Sequence, residues 1–246
     1  METGKKIAIG CTVAVVLVVG GRLGMIAYQR HQAATAVAEK PTFEWKLTDD
    51  DMVHLKHLYP STMKDAKDLV GKRVWISAGG QMEYFPYVGK QVEWGKKAGT
   101  LLGAQPMDIK DMVTQHPPKS VMPAQRIPTD STAIMAVFSK PDEKETYAAT
   151  VGYIENGQYT FYLDEMFFYD DPHTLYKHWG TENWAAIDKH EARLGMSENM
   201  MMMALGQVSQ SGSQKKGDRT VHYYNLNKPY DVTFVSDKAT KIEPSK

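Results

Sequence analysis

Two strand-like runs joined by a tight turn are the clearest structural signal in the chain: YAATVGYI at residues 147–154, ENG at 155–157 and QYTFYL at 158–163. Tyr, Thr, Val and Phe dominate both runs, and β-branched and aromatic side chains favour strands. The Asn156-Gly157 pair accommodates the positive φ that a tight turn requires. The stretch therefore predicts an antiparallel β-hairpin.

Shorter segments before the hairpin predict a β-rich region with two helices. Thr48 and the three aspartates after it predict an N-cap and an acidic first turn, for a helix reaching about Tyr59. The segment Met107–Thr114 also predicts a helix, whereas Val121–Asp130 contains two prolines and predicts an extended loop. Strands are expected at residues 73–77, 84–88, 91–94 and 133–138.

Helical signals follow the hairpin. Asp171-Pro172 predicts an N-cap with proline at the first helical position, for a helix reaching Trp179. Thr181 starts a second helix that runs to about His190. A third helix is expected from Ser197 to Leu205, ended by Gly206. A flexible loop at 209–217 and strands at 220–224, 230–235 and 239–242 complete the pattern.

Short sequence words near the C-terminus resemble a known family. They are HEARLGMSE at 190–198, ALG at 204–206, VHYY at 221–224, VTF at 232–234 and KI at 241–242. Together they are similar to the SmpA/OmlA (BamE-like) envelope modules. The resemblance covers about residues 186–244 and implies a helix packed on an antiparallel sheet, with a role in envelope assembly. The chain departs from the family at Gln207-Val208, where a proline is common, and residues 43–180 resemble no family.

An apolar segment near the N-terminus predicts a membrane anchor. Ile7 to Tyr28 has a single charge, Arg22, and its 22 residues would span about 33 Å as a helix at about 1.5 Å per residue. We expect an uncleaved signal anchor with the bulk of the chain extracytoplasmic, in the periplasm. Cleavage after Ala36-Val37-Ala38 and lipidation of Cys11 are the alternatives.

The expected architecture is therefore α+β in four parts. Residues 1–30 form the transmembrane helix, 31–42 a linker, 43–180 a mixed β-rich domain and 181–246 the helix-plus-antiparallel-sheet module. The 29 basic and 29 acidic residues cancel, which argues against nucleic acid as a partner. The charge is uneven, however, because residues 155–191 hold eight acidic and two basic side chains. One cysteine excludes internal disulfides.

Two groups of residues could bind a metal, but we favour a structural explanation for both and expect no cofactor. The first group is a pair of histidines spaced i, i+3, which could share one helix face. The second group consists of aspartates and histidines around a predicted helix N-cap. A metal site would use these side chains; otherwise they cap a helix or face solvent. The candidates are His54 and His57 in the first group, and Asp170, Asp171, His173 and His178 in the second.

Aromatic side chains exceed what one small sheet must bury; core filling is the simpler explanation for them, and a partner-binding face is the alternative, since such residues supply contact area at low entropic cost. Four consecutive methionines, Met200 to Met203, spread over all faces of a helix, so two are expected to face the sheet and two a partner surface. The partner-binding candidates are Tyr84, Phe85, Tyr87, Phe167, Phe168, Tyr169, Met200 and Met203.

No local catalytic motif is present in the sequence, so we expect a protein that is not an enzyme. The favoured function is a membrane-anchored, extracytoplasmic binding or scaffolding protein that assists assembly or stability of an envelope or membrane complex. One alternative is a permanent accessory subunit whose single helix packs against others through Gly20, Gly21 and Gly24. A further alternative is a metal-dependent binder or enzyme using the Asp/His cluster.

Overall fold

A computed structural model describes residues 22–31, 47–78, 81–211 and 215–245. The chain divides into two compact units, Met1–Leu47 and Thr48–Lys246. In the first unit the described residues form one helix, α1, at 22–31, and its apolar side chains Leu23, Met25 and Tyr28 are exposed.

The predicted membrane span lies mostly outside the described residues, as do Gly20 and Gly21. Among the residues that the structure describes, no helix is long and apolar enough to cross a bilayer. Gly24 is described, and a Cβ added to it would meet no atom within 4 Å.

Within the described part of the second unit, nine strands form a large antiparallel sheet with the order β3-β2-β7-β6-β5-β1-β9; β4 pairs with β2, and β8 with β7. The predicted hairpin is confirmed, because β7 and β8 are joined by Asn156 at φ 51° and Gly157 at φ 78°. The strands are β1 Arg73–Ile76, β2 Glu83–Val88, β3 Gln91–Val92, β4 Gly99–Thr100, β5 Pro106–Gln115, β6 Thr132–Ser139, β7 Tyr147–Glu155, β8 Gln158–Phe161 and β9 Phe167–Phe168.

The centre of this sheet is buried on both faces. Ile134, Ala136 and Phe138 of β6 belong to one apolar core, whereas Ala133 and its alternate neighbours belong to another on the opposite face. Alternate side chains of a strand point to opposite faces, so each face of β6 has its own core. This explains why β6 is a nearly continuous apolar run rather than an alternating one.

The helix predicted at Met107–Thr114 is wrong, because this segment belongs to strand β5. A β-bulge between Ile109 and Asp111 inserts one extra residue opposite β6. Met107, Ile109 and Met112 consequently face the same core, at spacings of two and then three residues. The spacing of three resembles the period of a helix and explains the wrong prediction.

The helix predicted from Thr48 to Tyr59 is also wrong beyond its first turn. Asp49–Met52 forms a single 3-10 turn, and the Thr48 N–H donates to Asp51 Oδ2 at 2.8 Å. Residues 53–59 then run without helix or strand; we call them the strap. The strap leads to helix α2, Met63–Lys67, where Thr62 caps the first turn.

The second sheet and the last helices form the C-terminal part of this unit. Among the described residues the sheet order is β10-β11-β12-β13, all antiparallel. Strand β10 lies where a flexible loop was predicted, so that prediction is wrong over residues 209–211. The elements are α3 Leu163–Met166, α4 Pro172–Leu175, α5 Thr181–Asp188, α6 Glu198–Leu205, β10 Val208–Ser211, β11 Thr220–Tyr223, β12 Tyr230–Val235 and β13 Lys238–Pro244.

The chain is thus a mixed α+β protein with antiparallel sheets, as predicted. The helix expected to run to Trp179 consists of α4 and a short 3-10 turn, Lys177–Trp179. The core under the second sheet also includes three residues from the first sheet and its loops: Phe168 of β9, Ala78 just after β1, and Ala104 just before β5. A domain boundary after residue 180 stays a prediction.

Candidate functional site

A cavity of about 270 Å³ lies between the strap, the end of β9 and helices α4 and α6. Its apolar lining comes from several separate stretches of chain, and polar side chains from the strap and residues 164–170 complete it. The main apolar lining residues are Leu55, Phe167, Phe168, Leu175, Trp179, Met202 and Met203. The cavity therefore combines aromatic, aliphatic and thioether surface with a polar rim, a composition typical of ligand pockets.

Asp164, on α3, fixes the strap to the body at its C-terminal end. Its carboxylate accepts hydrogen bonds of 2.8 Å from the backbone N–H groups of Leu58 and Tyr59, and from the hydroxyl of Tyr169. Burial alone would raise the Asp164 pKa, but these three bonds outweigh it and the pKa is lowered. Burial and the bond to Asp164 raise the pKa of Tyr169, so its hydroxyl stays a donor.

Asp50 fixes the chain just ahead of the strap. Its carboxylate lies 2.6 Å from each of three nitrogens: Nε2 of His178, Nε1 of Trp179 and Nδ2 of Asn199. Burial opposes ionisation, yet the bonds from Asn199, His178 and Trp179 outweigh it and lower the Asp50 pKa. Because Trp179 and Asn199 both line the cavity, Asp50 also sets their positions.

A third contact joins the middle of the strap to the body. Lys56 Nζ lies 2.5 Å from Asp170 Oδ1, and both side chains are exposed to solvent by more than a third. Exposed ion pairs contribute between about 0 and 1 kcal/mol to stability. The two aspartates, rather than this pair, are therefore the main attachments of the strap.

Helix α6 carries three lining residues and is itself held by an ion pair between the buried Glu198 and the partly buried Arg219. Glu198 accepts hydrogen bonds from the Arg219 guanidinium and, at 3.0 Å, from the Gly217 N–H. Burial would raise the Glu198 pKa, but these bonds outweigh it and lower the pKa. The helix starts as predicted, with the Ser197 hydroxyl accepting from the Met200 N–H at 3.3 Å. The resulting placement brings Asn199, Met202 and Met203 to the cavity.

The metal candidates do not converge. His173 is hydrogen-bonded to Asp171 and Asp188 through its two ring nitrogens, at 2.9 and 3.0 Å. Asp171 also caps α4, and His57 stacks on Tyr59 with ring centroids 5.5 Å apart. The other candidates are separated in the same way: His178 is bonded to Asp50 and Asp170 to Lys56, while His54 is exposed. No group of three His, Cys, Asp or Glu among the described residues is arranged to hold a metal ion.

Half of the partner-binding candidates meet at the cavity: Phe167, Phe168, Tyr169 and Met203 all line it. Phe167, Phe168 and Met203 are also buried members of the apolar cores, whereas the other four candidates lie in or against the cores without lining the cavity. Tyr84 and Phe85 are buried in the first sheet, and Tyr87 and Met200 are half-buried against the apolar clusters.

Several lining residues could not be identified from the sequence. The strap was predicted as a helix, so Leu55 and Lys56 gave no signal for a pocket wall. Ser77 follows a strand, and its hydroxyl donates to the Glu165 carbonyl. The run of four methionines was the one local sign, because consecutive helix positions cannot all face a single core. In the structure Met201 and Met203 are buried, whereas Met202 is half-buried at the cavity.

Comparison with known proteins gives no family for the chain. A scan against protein-family models found no match, and searches of curated proteins and of solved structures found none either. The resemblance of residues 186–244 to the SmpA/OmlA modules stays a prediction.

Proposed function

We propose that the protein is a non-catalytic binding or scaffolding protein whose cavity beneath the strap holds a side chain of a protein partner. In this proposal the apolar N-terminal segment Ile7–Tyr28 anchors the chain in a membrane, with the second unit on the extracytoplasmic side. The protein would assist assembly or stability of an envelope or membrane complex, as the SmpA/OmlA resemblance implies.

The observation that carries the proposal is the convergence of Phe167, Phe168, Tyr169 and Met203 on one cavity. Aromatic and methionine side chains that line a concave site are typical of the centres of protein interfaces. Asp164 at the rim, and Asp50 behind the lining residues Trp179 and Asn199, accept hydrogen bonds from the protein's own groups. This arrangement supports binding rather than acid–base chemistry.

One observation favours a second candidate, a permanent accessory subunit of a membrane complex. Helix α1 exposes Leu23, Met25, Ile26 and Tyr28 at 42–64% of their surface, and Gly24 has open space around it. A small residue on an apolar helix permits close approach of another helix. In this case the partner would pack against the anchor and not depend on the cavity.

Filling the cavity distinguishes the two candidates. Ala78 lines the cavity, so an Ala78→Met chain should place a longer side chain in it. The control is Ala98→Met, at an exposed position. Both chains and the unaltered one are extracted in mild detergent, and the proteins retained with each are quantified by mass spectrometry.

The proposal expects Ala78→Met to reduce retention of a specific partner at least fivefold, and the control to retain it. Equal, stoichiometric retention by all three chains would favour the permanent subunit. A monomer without any partner would contradict both candidates. Protease accessibility in spheroplasts tests the membrane orientation, because an extracytoplasmic second unit must be cleaved from outside.

A further inference from the structure

The rim of the cavity carries an excess of negative charge. Asp164, Glu165 and Asp170 line it, against Lys56 and the His57 ring. Asp164 has a lowered pKa and is therefore ionised at neutral pH. A cationic group entering the cavity would gain from this field, whereas an anion would be repelled.

Most side-chain donors at the cavity are already committed to acceptors of the protein. Tyr169 donates to Asp164, Lys56 to Asp170, and Trp179 and Asn199 to Asp50. The His57 ring and the Tyr176 hydroxyl can each donate or accept, and Lys56 and Asn199 have further N–H groups beyond the one that each gives to its aspartate. Because three carboxylates line the rim beside one lysine, an incoming group that supplies donors is favoured.

Glu165 provides the acceptor that such a group would use. Its backbone carbonyl accepts from the Ser77 hydroxyl, but in the described part of the chain no hydrogen bond or ion pair engages its carboxylate. The residue is exposed and lines the cavity, so its flexible side chain can turn toward an incoming ligand without breaking a hydrogen bond or ion pair among the described residues.

The apolar lining suits an alkyl chain that carries a cation at its tip. Trp179 stacks on both Tyr176 and Trp184, with ring centroids 4.4 and 5.2 Å away, so the aromatic lining supplies rigid apolar surface for the stem. Leu175, Met202 and Met203 add flexible apolar surface along which a methylene stem can pack. The strap provides a precedent, because its own Lys56 already pairs with a rim carboxylate, Asp170.

We propose that the cavity receives a lysine or arginine side chain of the partner, with its stem along the methionine and aromatic lining and its cationic tip at Glu165. This inference rests on the proposed function and adds the chemistry of the side chain that is bound.

The test uses the full-length chain in detergent, with ¹³C-methyl methionine, because Met202 and Met203 line the cavity and report on its occupancy. Four probes are titrated: a pentapeptide with a central lysine flanked by glycines, the same peptide with norleucine, the same peptide with glutamate, and n-butylammonium. Norleucine keeps the alkyl stem and removes the cation. The lysine peptide is expected to shift the two methyl signals and to bind about tenfold more tightly than the norleucine peptide.

A substitution at the rim tests the role of Glu165. Glu165→Gln should remove most of the tenfold preference for lysine and leave norleucine binding unchanged. The matched control, Glu155→Gln at the exposed hairpin turn, should leave both affinities as they are. A preference that survives Glu165→Gln would overturn the assignment of the tip to Glu165.

The other outcomes separate this inference from the proposed function. Equal affinity for the lysine and norleucine peptides, or tighter binding of the glutamate peptide, would overturn the cationic inference and leave the cavity as a partner site. Binding of n-butylammonium without binding of the lysine peptide would overturn it in favour of a free amine. If no probe shifts the methyl signals, both the inference and the use of the cavity for binding side chains are overturned.

Discussion

Single carboxylates hold together parts of the chain that are far apart in sequence. Asp50 and Asp164 each receive three hydrogen bonds, and in both cases the bonds outweigh burial and lower the pKa. Bonds to an ionised acceptor are worth roughly twice those between neutral groups. Both residues should therefore matter more to the strap than the exposed Lys56–Asp170 pair.

Removing the charge at Asp164 should loosen the strap. In the unaltered protein, three donors share the two carboxylate oxygens of Asp164, whereas Asp164→Asn leaves them a single acceptor oxygen. We therefore expect hydrogen exchange of the Leu58 and Tyr59 amides to accelerate at least tenfold. Mass spectrometry or NMR measures the exchange. Asp68→Asn, at an exposed aspartate just after α2, is the control. Unchanged protection in Asp164→Asn would contradict the role of the carboxylate.

The lowered pKa of Asp164 also predicts a pH dependence of stability. A carboxyl group whose pKa is lower in the folded state stabilises fully above its unfolded pKa, about 3.9 for aspartate, and the contribution is lost as the pH falls through the folded value. The difference in Tm between the unaltered protein and Asp164→Asn should therefore be largest above about pH 4 and shrink below it. Thermal unfolding followed at several pH values measures this. A difference in Tm that grows as the pH falls would show the opposite sign.

At the scale of elements, the turn between β12 and β13 carries strain that can be relieved. Val235 pairs with Lys238, so Ser236 and Asp237 form a two-residue turn, with φ of 50° and 56°. Left-handed backbone is unfavourable for serine and readily adopted by glycine. Asp237 should be kept, because its carboxylate accepts from the Glu198 N–H at 3.0 Å.

Ser236→Gly should consequently stabilise the protein by about 0.5–1 kcal/mol. Urea unfolding provides the measurement, and Ser245→Gly, outside any turn with positive φ, should bring no gain. A loss of stability in Ser236→Gly would mean that the serine makes a contribution larger than the strain.

Local signals predicted the elements that local chemistry determines. Asn156-Gly157 specified the hairpin turn, and Ser197 with Gly206 specified both ends of α6. The two wrong helices failed for tertiary reasons. The bulge in β5 depends on its pairing with β6, and the strap stays out of a helix because the carboxylate of the distant Asp164 accepts from the Leu58 and Tyr59 amides. Neither partner is visible in the local sequence.

At the scale of the whole molecule, a close approach joins the loop between β4 and β5 to helix α6. A Cβ on Gly103 would lie 2.3 Å from the Met203 carbonyl oxygen of α6. Gly103→Ala should force the helix away from this loop and destabilise the protein by about 1–3 kcal/mol. Gly95→Ala, where a Cβ would meet nothing within 4 Å, is the control for urea unfolding. Equal stability of the two variants would contradict this close packing.

The candidate site could be predicted only in part, because it is assembled from residues between Leu55 and Met203. Composition identified Phe167, Phe168, Tyr169 and Met203 as excess contact surface. It could not distinguish them from Tyr84 and Phe85, which fill the core without reaching the cavity, whereas Phe167, Phe168 and Met203 belong to the cores and also line the cavity. That distinction depends on which faces of the two sheets are covered, which only the tertiary structure defines.

The attachment of Asp50 also has a consequence for the order in which the protein is completed during synthesis. Asp50 is separated from its partner Asn199 by 149 residues. A ribosome releases the chain from the N-terminus, at about 5–20 residues per second. Asn199 is therefore synthesised between about 7 and 30 seconds after Asp50, and the Asp50 carboxylate stays solvated during that time. The segment that contains Asp50 is synthesised before the rest of its unit but is among the last to form its native contacts. The cavity is complete only when α6 has been synthesised and has packed.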